Sequence, residues 1–376
     1  MTASARSDCI VIGAGLIGLS TALHLGWRGF SVRVLERGRL GDGTSSKASG
    51  WISAQLRTPN PLLELVLESQ SSYVEFLDAV GDRCAYEESG SLVVFDSLEQ
   101  LEQRRMLDAT QREVTRYPGA QFLDATKAHE LVPALADSIV GGAFFGGDAQ
   151  VDPLRLLEAM LRRATSSHVA VHQGAAVTRL TRSDGSWRAT TPIGEFDAPV
   201  VIVTAGAWSP EIAELAGFEL PVLPVSGQLV VSEPRERDIR HCVVYQPDAR
   251  FATRLACGLR PATDGRLWLG TTYRAGTFDV SITTEDTEAI TGAVAAVFPR
   301  LAGIVIEQAW AGVRPVPSDL LPVYGQVAAV EGLFVGVPVA GLAECAGAGR
   351  LLADVVCGQA TRIDAAPFAP DRFADA

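Results

Sequence analysis

Histidine is scarce in this chain of 376 residues. The five present (His24, His129, His168, His172 and His241) are scattered without metal-ligand spacing, and no metal ion is expected. No GxSxG, Walker A lysine motif or HExxH occurs either, which sets aside nucleophile-elbow hydrolases, P-loop enzymes and zinc proteases. The six cysteines (Cys9, Cys84, Cys242, Cys257, Cys345 and Cys357) form no CxxC pair and no framework spacing, so they read as reduced thiols of a cytoplasmic enzyme. Positive charge is also short. Lys and Arg total 32 against 44 Asp and Glu, a formal net charge of −12, where a nucleic-acid partner would need a basic footprint. No polybasic segment offers itself to anionic lipid. The most apolar stretch, residues 9–27, contains four glycines and a histidine, which argues against a transmembrane segment. Residues 1–8, MTASARSD, lack an apolar core, so no signal peptide is expected.

What is present describes a globular enzyme. Apolar residues make up 47% and charged residues 20%, and the length allows two domains or one interleaved pair. The most informative segment is Gly13-Ala-Gly15-Leu16-Ile17-Gly18. It follows Cys9–Ile12, a strand apolar on both faces, and opens a helix expected to run to about Trp27, where Gly29 stops it. Gly13 permits the tight turn, Gly15 lets backbone approach a pyrophosphate, and Gly18 lets the helix pack on the sheet. Ser31–Leu35 reads as a second strand, and Glu36 at its end lies about 20 residues beyond Gly13, where a carboxylate meets ribose hydroxyls. Together these predict a dinucleotide site.

The next segment, Gly41–Ile52, is rich in glycine and small hydroxyl residues. Such a loop can lie along an extended ligand, although a Ser/Gly surface loop has the same composition. Further along come Val151-Asp-Pro153, Val201–Trp208 and Pro224-Val-Ser-Gly-Gln228. Gly265–Thr272, Ala311–Pro322 and Gly341–Asp354 complete the series. With Val11–Gly18, Val34–Arg37 and Gly43–Gly50, these blocks resemble, in order and over nearly the whole chain, the D-amino-acid oxidase-like family of FAD-dependent amine oxidoreductases. That group includes glycine oxidase, monomeric sarcosine oxidase and D-amino-acid dehydrogenase.

The resemblance implies FAD. It implies cofactor contacts from Gly13, Gly15, Leu16, Ile17, Gly18, Glu36 and Arg37, and from the loop residues Gly43, Thr44, Ser45, Ser49, Gly50 and Trp51. Val177, read as ending a short strand, would meet the adenine. Thr204, Ala205, Gly206 and Trp208 close the apolar strand Val200–Val203 beside the cofactor, and Gly341, Leu342 and Ala343 lie in a small-residue stretch ahead of an amphipathic helix. Arg314, in an otherwise apolar Gly-Val-Arg-Pro-Val-Pro setting, would hold a substrate carboxylate bidentately and touch the cofactor; an internal ion pair with Asp319 is its alternative. Tyr273 and, more weakly, Tyr245 are catalytic-pocket candidates.

The chain also departs from the family pattern. Some members attach FAD covalently through a histidine in the second block or a cysteine just ahead of the Arg-Pro block; Lys47 and the neighbourhood of Gly312 offer neither, so non-covalent FAD is expected. Gly258-Leu-Arg260-Pro261 stands where several members carry a carboxylate-binding tyrosine. A larger or cyclic substrate would fit the vacated space, with Arg254 or Arg260 as an added contact. Ala346 and Val337 replace a Pro and a His frequent in the family. Glu344 and Cys345 sit oddly in an apolar run, and a buried Glu344 needs a partner or a raised pKa.

The fold expected is α/β overall: a Rossmann-type FAD-binding domain (1–87, 146–224 and 326–376) interleaved with a substrate domain (88–145 and 225–325). The latter carries helices and an antiparallel sheet that includes Ser91–Phe95, Gln228–Ser232 and Leu267–Thr271. Asp152-Pro153 reads as a helix start and Ser97–Gln100 as a capping box. The expected activity is oxidation of a C–N bond in an amino acid or amine to an imine by hydride transfer to flavin. Molecular oxygen or an electron-accepting partner would take the electrons. Rival readings are a flavoprotein subunit of a larger dehydrogenase and an FAD-binding protein without turnover; oligomeric state is left open.

Overall fold

The computed structural model describes residues 5–54, 60–245 and 255–373. Its centre is a six-stranded sheet in the order Val323–Gln326, Leu333–Val337, Val200–Val203, Cys9–Ile12, Val32–Leu35, Val169–His172. All neighbours run parallel except the first pair. The strand Cys9–Ile12 is apolar throughout because both its faces are covered. Cys9 and Val11 face the helices Leu16–Gly26, Pro153–Ala164 and Gly341–Val356. Ile10 and Ile12 pack on Trp187 and Phe196 of a small four-stranded sheet.

A second large sheet has nine strands, with Val222–Ser232 paired to both Ile306–Pro317 and Leu267–Thr272. Helix Thr284–Val297 covers one face through Ile290 and Val294. The expected strands are all there, but the sheet is not purely antiparallel: Cys242–Tyr245 runs parallel to Ser91–Phe95. These strands come from segments far apart in the chain, so no hairpin forces them to run in opposite directions.

Helix starts follow local chemistry. The Asp152 carboxylate accepts from the Arg155 N–H at 2.9 Å, as an N-cap should. Ser97 accepts from the Glu99 N–H at 3.2 Å, but Gln100 does not return the bond of a capping box, since its Oε1 is buried without a hydrogen-bond partner. Two other expectations shift. Ala176 and Val177 do not end a strand; they lie in the connection that leaves Val169–His172 for the small sheet, beginning where the Ala175 N–H meets the Glu36 carbonyl at 2.8 Å. The small residues expected ahead of the last helix are inside it, because Gly341 is its first residue.

Those glycines are needed there. A Cβ on Gly349 would stand 2.0 Å from Ser20 Oγ and 2.8 Å from the Ser20 carbonyl carbon, and one on Gly347 would stand 3.0 Å from the Ser69 backbone. Ser20 Oγ also donates to the Cys345 carbonyl at 2.7 Å. The contact locks the first and last helices together. Among the described residues no helix is long and apolar enough to cross a membrane, and no cluster of His, Cys, Asp or Glu is set to hold a metal. All six cysteines are free thiols. Gly349→Ala should destabilise the protein by about 1–3 kcal/mol through overpacking; thermal unfolding followed by circular dichroism, showing an earlier transition, checks this.

Candidate functional site

The turn after Cys9–Ile12 is held by backbone contact. Gly13 has φ +107°, and a Cβ there would lie 2.7 Å from the Thr204 carbonyl oxygen. A Cβ on Gly18 would collide with the Gly13 carbonyl at 2.0 Å. The Thr204 hydroxyl donates to the carbonyls of Ile12 at 3.0 Å and Gly13 at 3.2 Å, tying the two central strand ends together. Helix Leu16–Gly26 therefore starts directly over the strand ends, with Gly15 as its side-chain-less cap and no acid in its first turn. An N-terminus of this kind attracts a phosphate. At the neighbouring strand end, Glu36 accepts from the Ala14 N–H and the Gly38 N–H, each at 2.9 Å.

The loop after Glu36 is fastened at both ends of the site. Ser45 Oγ accepts from the Leu16 N–H at 3.1 Å. Thr44 Oγ1 donates to the Val313 carbonyl at 2.5 Å, and the Trp310 indole donates to the Lys47 carbonyl at 3.3 Å. The loop thus bridges the first helix and the strand Ile306–Pro317, which carries Arg314. Arg37 stacks 3.9 Å from the Trp208 ring and walls one side.

Between the two large sheets lies a cavity of about 500 Å³. Residues of the second sheet line it, among them Gly258 and Arg260, Trp268 and Gly270, and Gly312 and Arg314. Of the residues expected from sequence to touch the cofactor or to be catalytic, all but Gly18, Gly50 and Tyr245 line it. Gly18 lies beneath the turn. Gly50, at φ +87°, packs against the Arg260 guanidinium, whose central carbon would be 2.7 Å from a Cβ. Tyr245 is elsewhere: its hydroxyl donates to Asp96 at 2.7 Å, and its neighbour Val244 takes the cavity side of the strand. Arg314, half-buried, lies 5.3 Å from the Tyr273 ring centre. Asp319, its alternative partner, is held instead by Arg372 at 2.6 Å. Arg254 lies outside the described residues. The space vacated at Gly258 is filled by the Trp51 ring, 3.5 Å from where a Cβ would sit.

Glu344 and Cys345 find their account here. Glu344 is fully buried; Oε1 accepts from the Val339 N–H at 3.1 Å and the Ala340 N–H, and Oε2 from the Tyr324 hydroxyl at 2.7 Å. Burial, with the Glu344 charge adding to it, pushes the Tyr324 phenol well above its ordinary pKa, so it stays a donor. Glu344 thereby holds the turn Val339–Ala340 that brings the last helix's N-terminus to the cavity. Cys345 Sγ lies 3.1 Å from the buried Tyr73 hydroxyl. Lining residues without a sequence reading include Arg39, Trp268 and Pro338. Only Trp268 had a readable signal, as the cross-strand neighbour of Arg260 in a short-looped hairpin.

A cradle of glycine turns, a helix N-terminus free of acids and a strand-end acid fits the adenosine diphosphate part of a dinucleotide, and the fastened loop beside it fits a long ligand. These features define a dinucleotide-dependent enzyme. The family model described as FAD dependent oxidoreductase matches residues 8–355, and the chain belongs to that family. It is similar to glycine oxidase of Geobacillus kaustophilus, 30% identical in an alignment that covers 98% of this chain and 97% of the relative. It is also similar to hydrogen cyanide synthase subunit HcnC of Pseudomonas aeruginosa, 27% identical, with 97% and 96% covered. A crystal structure of glycine oxidase from Geobacillus kaustophilus superposes with TM-score 0.91 at 26% identity, covering 98% of this chain and 99% of the other. The protein is an FAD-dependent oxidoreductase. Glu36→Ala removes the acceptor for two backbone donors at the mouth of the turn, and FAD affinity measured by flavin fluorescence on dilution should fall roughly tenfold to a hundredfold.

Proposed function

We propose that the enzyme oxidises the C–N bond of a carboxylate-bearing amine, whether an amino acid or an N-substituted or cyclic relative. The observation that carries this reading is Arg314 on the cavity wall, two residues from Gly312, which packs on the loop residue Lys47. The cofactor loop and the arginine are thus parts of one surface. Arg314's planar fork suits a bidentate carboxylate and fixes the substrate's orientation, so that positioning supplies much of the catalysis. Tyr273, packed beside it, limits how the substrate can tilt. FAD, held by the glycine turn and the fastened loop, would supply the two-electron acceptor for a hydride leaving the carbon next to nitrogen. The amine reacts in its neutral form, and the nitrogen lone pair closes the C=N bond as the C–H bond breaks. Water then adds to the imine and releases an oxo acid and an amine, or a cyclic imine persists. The N-terminus of helix Gly341–Val356 presents its dipole to the cavity and favours negative charge arriving there.

FAD is read as non-covalently held, since Lys47 and Gly312, whose Cβ position lies 3.0 Å from Lys47 Cβ, offer neither imidazole nor thiol. Heat denaturation followed by centrifugation should leave all the flavin in the supernatant, whereas a yellow pellet would contradict this. Likeness to a subunit of a larger enzyme keeps a second acceptor in view, a partner protein in place of oxygen. Hydrogen peroxide formed during turnover by the purified chain decides between them. The substrate reading is tested by anaerobic flavin reduction with D- and L-amino acids, N-methylglycine and proline. Arg314→Ala should raise the half-saturating concentration of the best substrate at least about a hundredfold while FAD stays bound. Unaltered reduction in that variant would remove Arg314 from the site.

A further inference from the structure

One further arginine of the cavity has no acid within ion-pair reach among the described residues. Arg260 is 5% exposed and lines the cavity. Besides the Gly50 backbone, its contacts include the Trp268 ring, 4.0 Å from the guanidinium carbon, and a long bond from Nη1 to Gln150 Oε1 at 3.4 Å. Its Nε has no hydrogen-bond partner among the described residues. Gln150 leads to no spare charge: its amide donates to Glu87 at 2.9 Å, and Glu87 is already paired with Arg237. Burial pulls the Arg260 pKa down to about 10, which still leaves it charged at neutral pH. Asp152 and Asp264 attract it without forming an ion pair, so the desolvation is not offset at close range, and an apolar side chain would pack this place at lower cost.

We propose that Arg260 is a second anion-binding subsite, so that the preferred substrate carries two acidic groups, one held by Arg314 and one by Arg260. This inference rests on the reading of the cavity as the site for a carboxylated amine. Register sets the length of such a substrate. Gly258, Gly270, Leu229 and Trp310 form one row across four strands. Arg260 lies two residues to one side of that row and Arg314 four residues to the other. At about 3.3 Å per residue the two backbone positions are roughly 20 Å apart along the strands. Their long side chains reach into the cavity from opposite ends. An elongated molecule fits, such as an amino acid whose nitrogen or side chain carries a second carboxylate several bonds away; glycine alone does not span it. The FAD phosphates are a poor counter-ion, because the helix N-terminus suited to them belongs to the other sheet.

The FAD-loaded enzyme, titrated with the diacids succinate to pimelate and with monoacids of matched length, reports binding through the flavin absorption spectrum. The best diacid should bind at least about thirtyfold tighter than its monoacid, and Arg260→Met should reduce that ratio to within about threefold, with Arg260→Lys recovering part of it. Equal binding of both series to the wild-type enzyme would overturn the proposal, and this measurement needs no variant to fold. So would a diacid preference unchanged in Arg260→Met, or loss of FAD from that variant, which would make the cofactor the counter-ion. Flavin that no amine reduces, alongside a diacid preference that depends on Arg260, would support the subsite and remove the C–N reading.

Discussion

Close approach of backbone to backbone is the constraint on which the architecture rests. At Gly13 the chain touches the Thr204 carbonyl, at Gly18 the helix touches the turn it has just left, and at Gly349 the last helix touches the first. Each contact is tighter than any side chain allows, and each lies on the route by which a helix N-terminus reaches the cavity. If the first helix stood off by a Cβ, its N–H groups would no longer sit over the strand ends beside Glu36. If the last helix stood off, the turn Val339–Ala340 would move away from the site. The binding surface is therefore a consequence of helix packing.

The second sheet depends on the same economy of atoms. Gly258, Gly270 and Gly312 leave room on the cavity face for large groups from elsewhere: Trp51 against Gly258, and Lys47 against Gly312. The cofactor loop can then lie flat on the strand Ile306–Pro317 and be fastened there by Thr44 and Trp310. A displacement of that strand would move the loop and Arg314 together, so the two share one mechanical frame. The partition has chemical sense, because orientation between two reacting atoms is lost when their supports move independently.

Much of this was legible in the chain. The Gly13–Gly18 turn, the strand Val200–Val203 and Arg314 are local signals, because glycine spacing and an arginine among apolar residues are properties of short segments. Placement by pairing was harder to read. Tyr245 looked like a pocket residue, but strand alternation assigns the cavity to Val244. Gly258 looked like vacated space, but a tryptophan distant in sequence fills it. The parallel pairing of Cys242–Tyr245 with Ser91–Phe95 had no sequence signature, since neither strand turns directly into the other. The last helix was read as starting late because glycine and alanine runs suggest a loop, whereas here they are the helix's packing face.

Two buried charges line up as opposites and bear on what the cavity is for. Glu344 accepts from donors of its own chain, among them two backbone N–H groups and a phenol, and is satisfied inside the fold. Arg260 is enclosed as deeply but has one long hydrogen bond and an aromatic face. Leaving a buried ionic group unanswered is costly, and the satisfaction of Glu344 shows that this fold can supply partners where it needs them. The difference lies in where the two point. Glu344 looks inward to a turn that must stay fixed, whereas Arg260 looks into the space a ligand enters. A cation held in place by Trp268 and a tight glycine, yet short of a partner, is already desolvated and oriented for an incoming anion, so the ordering cost is met in folding rather than in binding.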